Sequence, residues 1–248
     1  SLLRRNRSKP PFSAFPAAVG ADEPLLRAPA FPALSPTYPR ATETPPLLKI
    51  ARSFDINRPG ASPDSLKGGV IGGSLSQGLL HVGDKIEICP GRLVDYEGRK
   101  QWIPIQTKVM TLLAGKQVLE EIGPGGLMGL GTQLDPIMTK SDALVGQVAG
   151  EPGKLPPARN SFTMNMQLLE RVVGVTDESS VEPIHSSEPL MLNVGTATTV
   201  GVVSSAREGG VVQVQLKRPV CAEKGDRVAV SRRIGARWRL IGVGTITE

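Results

Sequence analysis

Val212, Val214 and Leu216 alternate with Gln213, Gln215 and Lys217, a period of two that predicts a strand with one buried face. The same alternation runs through Leu48, Ile50, Arg52, Phe54 and Ile56 against Ala51, Ser53 and Asp55, ending in a turn at Asn57-Arg-Pro-Gly60. Val82, Ile86 and Ile88 against Lys85 and Glu87 predict another strand, entered through a turn at Gly78. Short apolar runs at Val109–Leu113, Val118–Ile122 and Leu127–Leu130 add further strands before residue 150. Beyond it, Phe162–Leu169, Leu190–Val194, Val200–Val203, Arg227–Val230 and Trp238–Ile246 continue the series. Strands this short and evenly spaced, punctuated by glycine and proline, predict an all-β chain of barrels or sandwiches.

Proline divides the chain. Residues 1–46 hold ten prolines, eight alanines and only three acids, a density in which no periodicity survives, so a disordered Pro/Ala-rich segment is expected. Its Arg-rich, Ser-containing start resembles a transit peptide, but Ser1 is not an initiator Met and the prolines break any amphipathic helix. A plain disordered tail, or an incomplete or misassembled coding sequence, is the expectation. Gly150-Glu-Pro-Gly-Lys-Leu-Pro-Pro157 is too stiff for a sheet interior and predicts a linker over 151–157. The expected domains are therefore 47–150 and 158–248.

Composition narrows the class. Of 248 residues, 40% are hydrophobic and only 4% aromatic, so the cores must be built from Val, Leu, Ile and Ala. No apolar stretch reaches the roughly 20 residues that a helix needs to cross a bilayer, and no membrane association is expected. Cys89 and Cys221 lack a CxxC partner and cannot supply four zinc ligands, so free thiols in a reducing, cytoplasmic compartment are expected, with no metal. The net charge of +6 is concentrated: residues 217–239 carry eight basic against two acidic side chains.

A glycine run, Lys67-Gly-Gly-Val-Ile-Gly-Gly-Ser74, raises the question of a phosphate cradle. A P-loop requires GxxxxGK[ST], and neither Gly115-Lys116-Gln117 nor Gly153-Lys154-Leu155 completes it. The guanine-reading Asn-Lys-x-Asp pattern is absent, and Asp95-Tyr-Glu-Gly98 reads as a hairpin turn. His81 and His185 have no nucleophile that sequence can place beside them, and Glu120-Glu121 and Asp177-Glu178 point to opposite faces of any strand. No catalytic residue is expected in this chain.

The ordered segments Arg52-Ser-Phe-Asp-Ile-Asn-Arg-Pro-Gly60, Lys67–Gly73, Val82–Ile88, Pro124-Gly-Gly-Leu-Met-Gly-Leu-Gly-Thr132, Leu134-Asp-Pro136, Val145–Val148, Ser231-Arg-Arg233 and Trp238-Arg-Leu-Ile-Gly242 resemble the gamma subunit of translation initiation factor two of eukaryotes and archaea. The selenocysteine-specific elongation factor fits Leu134-Asp-Pro136 and Ser231-Arg-Arg233 less well. One departure is Val243, where the family usually has a second Trp. The resemblance implies two tandem elongation-factor-type β-barrels, the second and third domains of a GTPase whose GTP and Mg²⁺ belong to a domain preceding this region. No cofactor is then expected in this chain.

The resemblance also implies a function: binding initiator methionyl-tRNA and the alpha and beta subunits for delivery to the small ribosomal subunit. Carried over by position, the acceptor-end pocket would comprise Lys67, Gly68, Val70, Gly126, Leu127, Gly129, Gly146 and Val148. Glycine lets a base or ribose approach the backbone, and apolar side chains cover a base face; the same glycines also serve barrel bulges. Arg232, Arg233, Arg237 and Arg239 around Trp238 are candidate phosphate contacts or a solvated hairpin face, with Arg233 and Arg237 on one side unless the Gly235 turn resets the register. Loops Asn57–Gly60 and Gly91–Lys100 are candidates for subunit docking. The alternatives are a truncated form of the full GTPase and an interaction module with no RNA role.

Overall fold

A computed structural model describes residues 41–172, 180–207 and 209–248. The expected disorder over 1–46 falls mainly outside them. Its last six residues run beside the first barrel, where the Gly78 amide donates to the Ala41 carbonyl at 2.7 Å and the Gln77 side chain to Pro45 at 3.0 Å.

The first barrel uses β1 (Leu47–Phe54), β2 (Val70–Gln77), β4 (Lys85–Tyr96), β5 (Arg99–Ala114), β8 (Met128–Thr132) and β9 (Val148–Gly150). Their order is β4-β9-β1-β2-β8-β5, closed by antiparallel pairing of β4 with β5. β6 (Gln117–Leu119) extends β5, while β3 (Leu80–His81) and β7 (Glu121–Ile122) form a separate two-stranded ladder. The core is aliphatic, with Leu48, Ile50, Ile71, Ile88 and Leu130 fully buried. The hairpin of β4 and β5 turns at Glu97-Gly98, both at positive φ as a two-residue primed turn requires.

The second barrel closes in the order β10-β13-β12-β11-β14-β15. Its strands are β10 (Ala158–Leu168), β11 (Pro189–Val194), β12 (Ala197–Arg207), β13 (Val211–Cys221), β14 (Arg227–Ile234) and β15 (Arg237–Ile246). Each predicted strand of this half appears, several of them longer than the apolar run that signalled it. The period of two holds in β13, where Val212, Val214 and Leu216 enter the core and Gln213, Gln215 and Lys217 are exposed. Of the loop expected at 175–189, residues 175–179 lie outside the described ones.

Two expected alternations break in the first half. The β1–β2 register shifts between Ile50 and Arg52, where Ala51 has no partner. This bulge reverses the faces: Ser53 becomes buried, whereas Phe54 and Ile56 turn outward. Val82 likewise leaves the expected strand. It sits in the turn between β3 and β4, is 38% exposed, and is followed by Gly83 at φ +97°.

Candidate nucleic-acid interface

The outward faces of β2, β8 and β5 form a groove whose floor is Val70, Gly129 and Gly131, with Thr111 and Leu113 beside them. Phe54, Ile56 and Leu66 stand on one wall and Met110 on the other, each 40–48% exposed, around a space of about 890 Å³. The β1 bulge is what supplies Phe54 and Ile56 to this surface. Lys67 is held at the rim through its main chain: its amide donates to Asn57 Oδ1 and its carbonyl accepts from Asn57 Nδ2, both at 2.7 Å. The segment after β8 is fixed beside it by Thr132 Oγ1, which donates to the Gly69 carbonyl at 2.7 Å, and by Asp135, which caps the Ile137 amide at 2.9 Å. An apolar floor in which two of the three residues are glycine, apolar walls and one ammonium suit the covering of a flat or aliphatic group beside an anion.

The glycines divide into two kinds. A Cβ on Gly68 would lie 1.8 Å from the Thr132 carbonyl oxygen, so barrel packing alone demands glycine there. On Gly129 it would meet only Leu113 Cβ at 3.9 Å, an ordinary contact, and nothing in the barrel requires its bareness.

Of the residues expected in the pocket, Lys67, Gly68, Val70 and Gly129 meet in the groove. Gly126, at φ +70°, and Leu127, 75% exposed, lie in the loop leading into β8 and do not line it. Gly146 and Val148 are elsewhere, beside the second barrel; a Cβ on Gly146 would stand 2.9 Å from Ala197 Cα. Sequence reading missed Phe54, Ile56, Met110 and Leu113. The asparagine after a strand, Asn57, is the one signal of a pinned loop.

The basic hairpin is also divided. Two residues, Gly235 and Ala236, separate the pair Ile234 and Arg237, so the turn does reset the register. Arg233 pairs with Trp238 on one face, and Arg232 pairs with Arg239 on the other, which Arg237 shares. Arg232 is not available to phosphate. Its guanidinium forks onto Glu188, with Nη2 at 3.1 Å from Oε2, and donates to the carbonyls of Glu182 and Pro183 at 2.9 Å each. Arg233, Arg237 and Arg239 make no ion pair among the described residues.

Comparison with known proteins gives this geometry a family. Residues 160–246, nearly the whole second barrel, match the family model described as "Initiation factor eIF2 gamma, C terminal". The translation initiation factor 2 subunit gamma of Methanothermobacter thermautotrophicus is 59% identical over 210 residues, covering 85% of this chain and 51% of that protein. That of Halorubrum lacusprofundi is 63% identical over 199 residues, covering 79% and 48%, and that of Archaeoglobus fulgidus 57% over 211, covering 85% and 49%. The chain belongs to the initiation factor 2 gamma-subunit family. Alignments of this length take in both barrels, and the chain spans about half the length of the curated relatives it matches.

One titratable cluster of this gamma-family chain lies outside the groove. His81 Nε2 is 2.8 Å from Glu121 Oε2, and its Nδ1 is 3.4 Å from Asp84 Oδ2. The β3–β7 register makes the contact by setting His81 opposite Glu121 across forty residues of chain, which no local pattern reveals. The hydrogen bond to Glu121 raises the His81 pKa above the ordinary 6.5. Because the folded value is the higher one, the contribution of this pair to stability is complete below pH 6.5 and fades as pH rises through the raised value. An NMR titration of the His81 ring is expected to give a midpoint above 6.5 that falls toward the ordinary value in Glu121→Gln, with Asp84 retaining a smaller upward pull; an unshifted midpoint in the parent would refute the pairing. Among the described residues, no helix is long and apolar enough to cross a membrane.

Proposed function

We propose that these barrels are the RNA- and subunit-binding part of a translation initiation factor, with the groove of β2, β8 and β5 receiving the aminoacylated end of initiator methionyl-tRNA. The observation that carries this reading is the bare floor at Gly129 between walls of four exposed hydrophobic side chains, in a chain of the gamma family. Lys67 would sit beside the terminal phosphate, while Phe54, Ile56, Leu66 and Met110 cover the adenine and the methionyl side chain. In this reading these residues serve binding. The GTP and Mg²⁺ of the full-length family would act in a nucleotide domain, and no residue of the two barrels is assigned to them.

Titration with initiator methionyl-tRNA tests the groove. Gly129→Leu places a side chain on the floor without a backbone clash, and is expected to weaken binding about tenfold, roughly 1.4 kcal/mol. Deacylated tRNA should bind the parent chain more weakly than the charged form. Equal affinity of the parent and Gly129→Leu for charged tRNA would remove the groove from the reading.

The β4–β5 hairpin favours a second role in the same factor. Leu93, Tyr96 and Ile103 are 49%, 65% and 42% exposed near its tip, more apolar surface than a solvated hairpin needs. We assign this hairpin, rather than the Asn57–Gly60 loop whose Asn57 is already engaged with Lys67, to docking of a partner subunit of the factor.

A further inference from the structure

Cys89 and Cys221 belong to different barrels and meet at their seam. In β4, Ile88 points into the first core, so Cys89, the next residue, points out of it; yet Cys89 is only 9% exposed. Val148, opposite it in β9, is also buried without belonging to that core. Their cover is the second barrel, whose Cys221 ends β13 and lines, with Val148 and Gly146, a cleft of about 230 Å³. The close approach of Gly146 to Ala197 fixes the two barrels against each other at this point. Pro90 and Gly91, which follow Cys89 in β4, line one space with Arg218, Pro219 and Val220, which precede Cys221 in β13, so the two strands run past each other at the cysteines. The neighbouring Cys221 lowers the Cys89 pKa, and Cys89 together with burial raises that of Cys221.

We propose that Cys89 and Cys221 are a redox modification site, closing to a reversible disulfide that joins the two barrels when the chain meets a peroxide. The Cys89 thiolate attacks one peroxide oxygen, the O–O bond breaks, and the departing hydroxide takes up a proton to leave as water. The Cys221 sulfur then attacks the resulting sulfenic sulfur; the S–O bond breaks, and that hydroxyl leaves as a second water with the Cys221 proton. Two thiols lose two electrons to one peroxide, and nothing else is consumed. The bond would close a loop holding most of both barrels, which restricts the unfolded chain and pins the seam in the folded one.

The test uses the full reduced chain exposed to hydrogen peroxide, followed by alkylation of free thiols and non-reducing peptide mapping. The expected product is one linked peptide pair containing Cys89 and Cys221, lighter by two hydrogen atoms, and separated again by a thiol reductant. The thermal unfolding midpoint should rise by several degrees on oxidation of the parent and stay in place for Cys89→Ser and for Cys221→Ser. Reversible linkage in the parent is read without either variant, so a variant that fails to fold does not blunt the test. Alkylation of both thiols after peroxide, separate sulfinic acids, or a link formed only between two chains would each overturn the proposal.

Discussion

Gly73→Ala is expected to destabilise the first barrel by about 3 kcal/mol or more. Gly73 shares its face of β2 with the buried Ile71 and Leu75, and its partner in β1 is Ile50, the residue before the bulge. A Cβ there would lie 2.0 Å from the Lys49 carbonyl oxygen, 2.9 Å from its carbon and 3.2 Å from Ile50 Cα. All three obstacles are backbone, so no side chain can rotate away. Relief requires β1 to move off β2, which breaks the ladder between Leu48 and Phe54 and withdraws Phe54 from the groove. Gly72, one residue earlier, is the internal control. Its Cβ would meet only the Met128 carbonyl oxygen at 3.5 Å and Arg52 Cβ at 3.8 Å, both ordinary contacts. Gly72→Ala should therefore fall within about 1 kcal/mol of the parent, with a gain from the unfolded chain offsetting any loss. Urea unfolding decides it: the midpoint should drop for Gly73→Ala alone at unchanged slope. Equal midpoints for the two variants would show that the approach of Lys49 does not constrain this strand.

The contrast between neighbouring glycines also marks what sequence reading can reach. Strand parity follows from the chain itself where the ladder is regular, so β13 and the two-barrel architecture were legible from apolar spacing and from the resemblance. A bulge is invisible to that reasoning because it depends on the partner strand. The single extra residue Ala51 reversed the faces of Ser53, Phe54 and Ile56, and with them the groove wall. The sequence leaves the glycines as places of approach for a base or ribose, or as barrel bulges. At Gly68 and Gly73 the barrel's own backbone makes the approach, whereas Gly129, in β8, has open space before it. Contacts across long sequence distances, His81 with Glu121, Arg232 with Glu188 and Cys89 with Cys221, leave no local trace at all.

Arg232→Ala is expected to cost about 3 kcal/mol, the scale of removing one partner from a largely buried ion pair. The side chains of Arg232 and Glu188 are 15% and 17% exposed. Deleting the guanidinium strands the carboxylate and also removes the donors to the Glu182 and Pro183 carbonyls, so the segment before β11 loses its attachment to β14. Lysine cannot reproduce the fork, and Arg232→Lys should recover only part of the loss. Glu188→Gln combined with Arg232→Ala should be less destabilising than the sum of the two, because the stranded charge is gone. Arg237 gives the opposite expectation. It is exposed and makes no ion pair among the described residues, so Arg237→Ala should change stability by no more than about 0.5 kcal/mol. If this face contacts RNA, Arg237→Ala is the variant that lowers affinity, with the slope of log affinity against log salt reduced by about one. Salt-dependent tRNA titrations and urea unfolding of the same two variants separate the roles: stability should follow Arg232 and RNA binding should follow Arg237. An Arg237→Ala chain with unaltered salt dependence would leave this hairpin as a solvated face, and an Arg232→Ala chain of parental stability would remove the clamp from the fold.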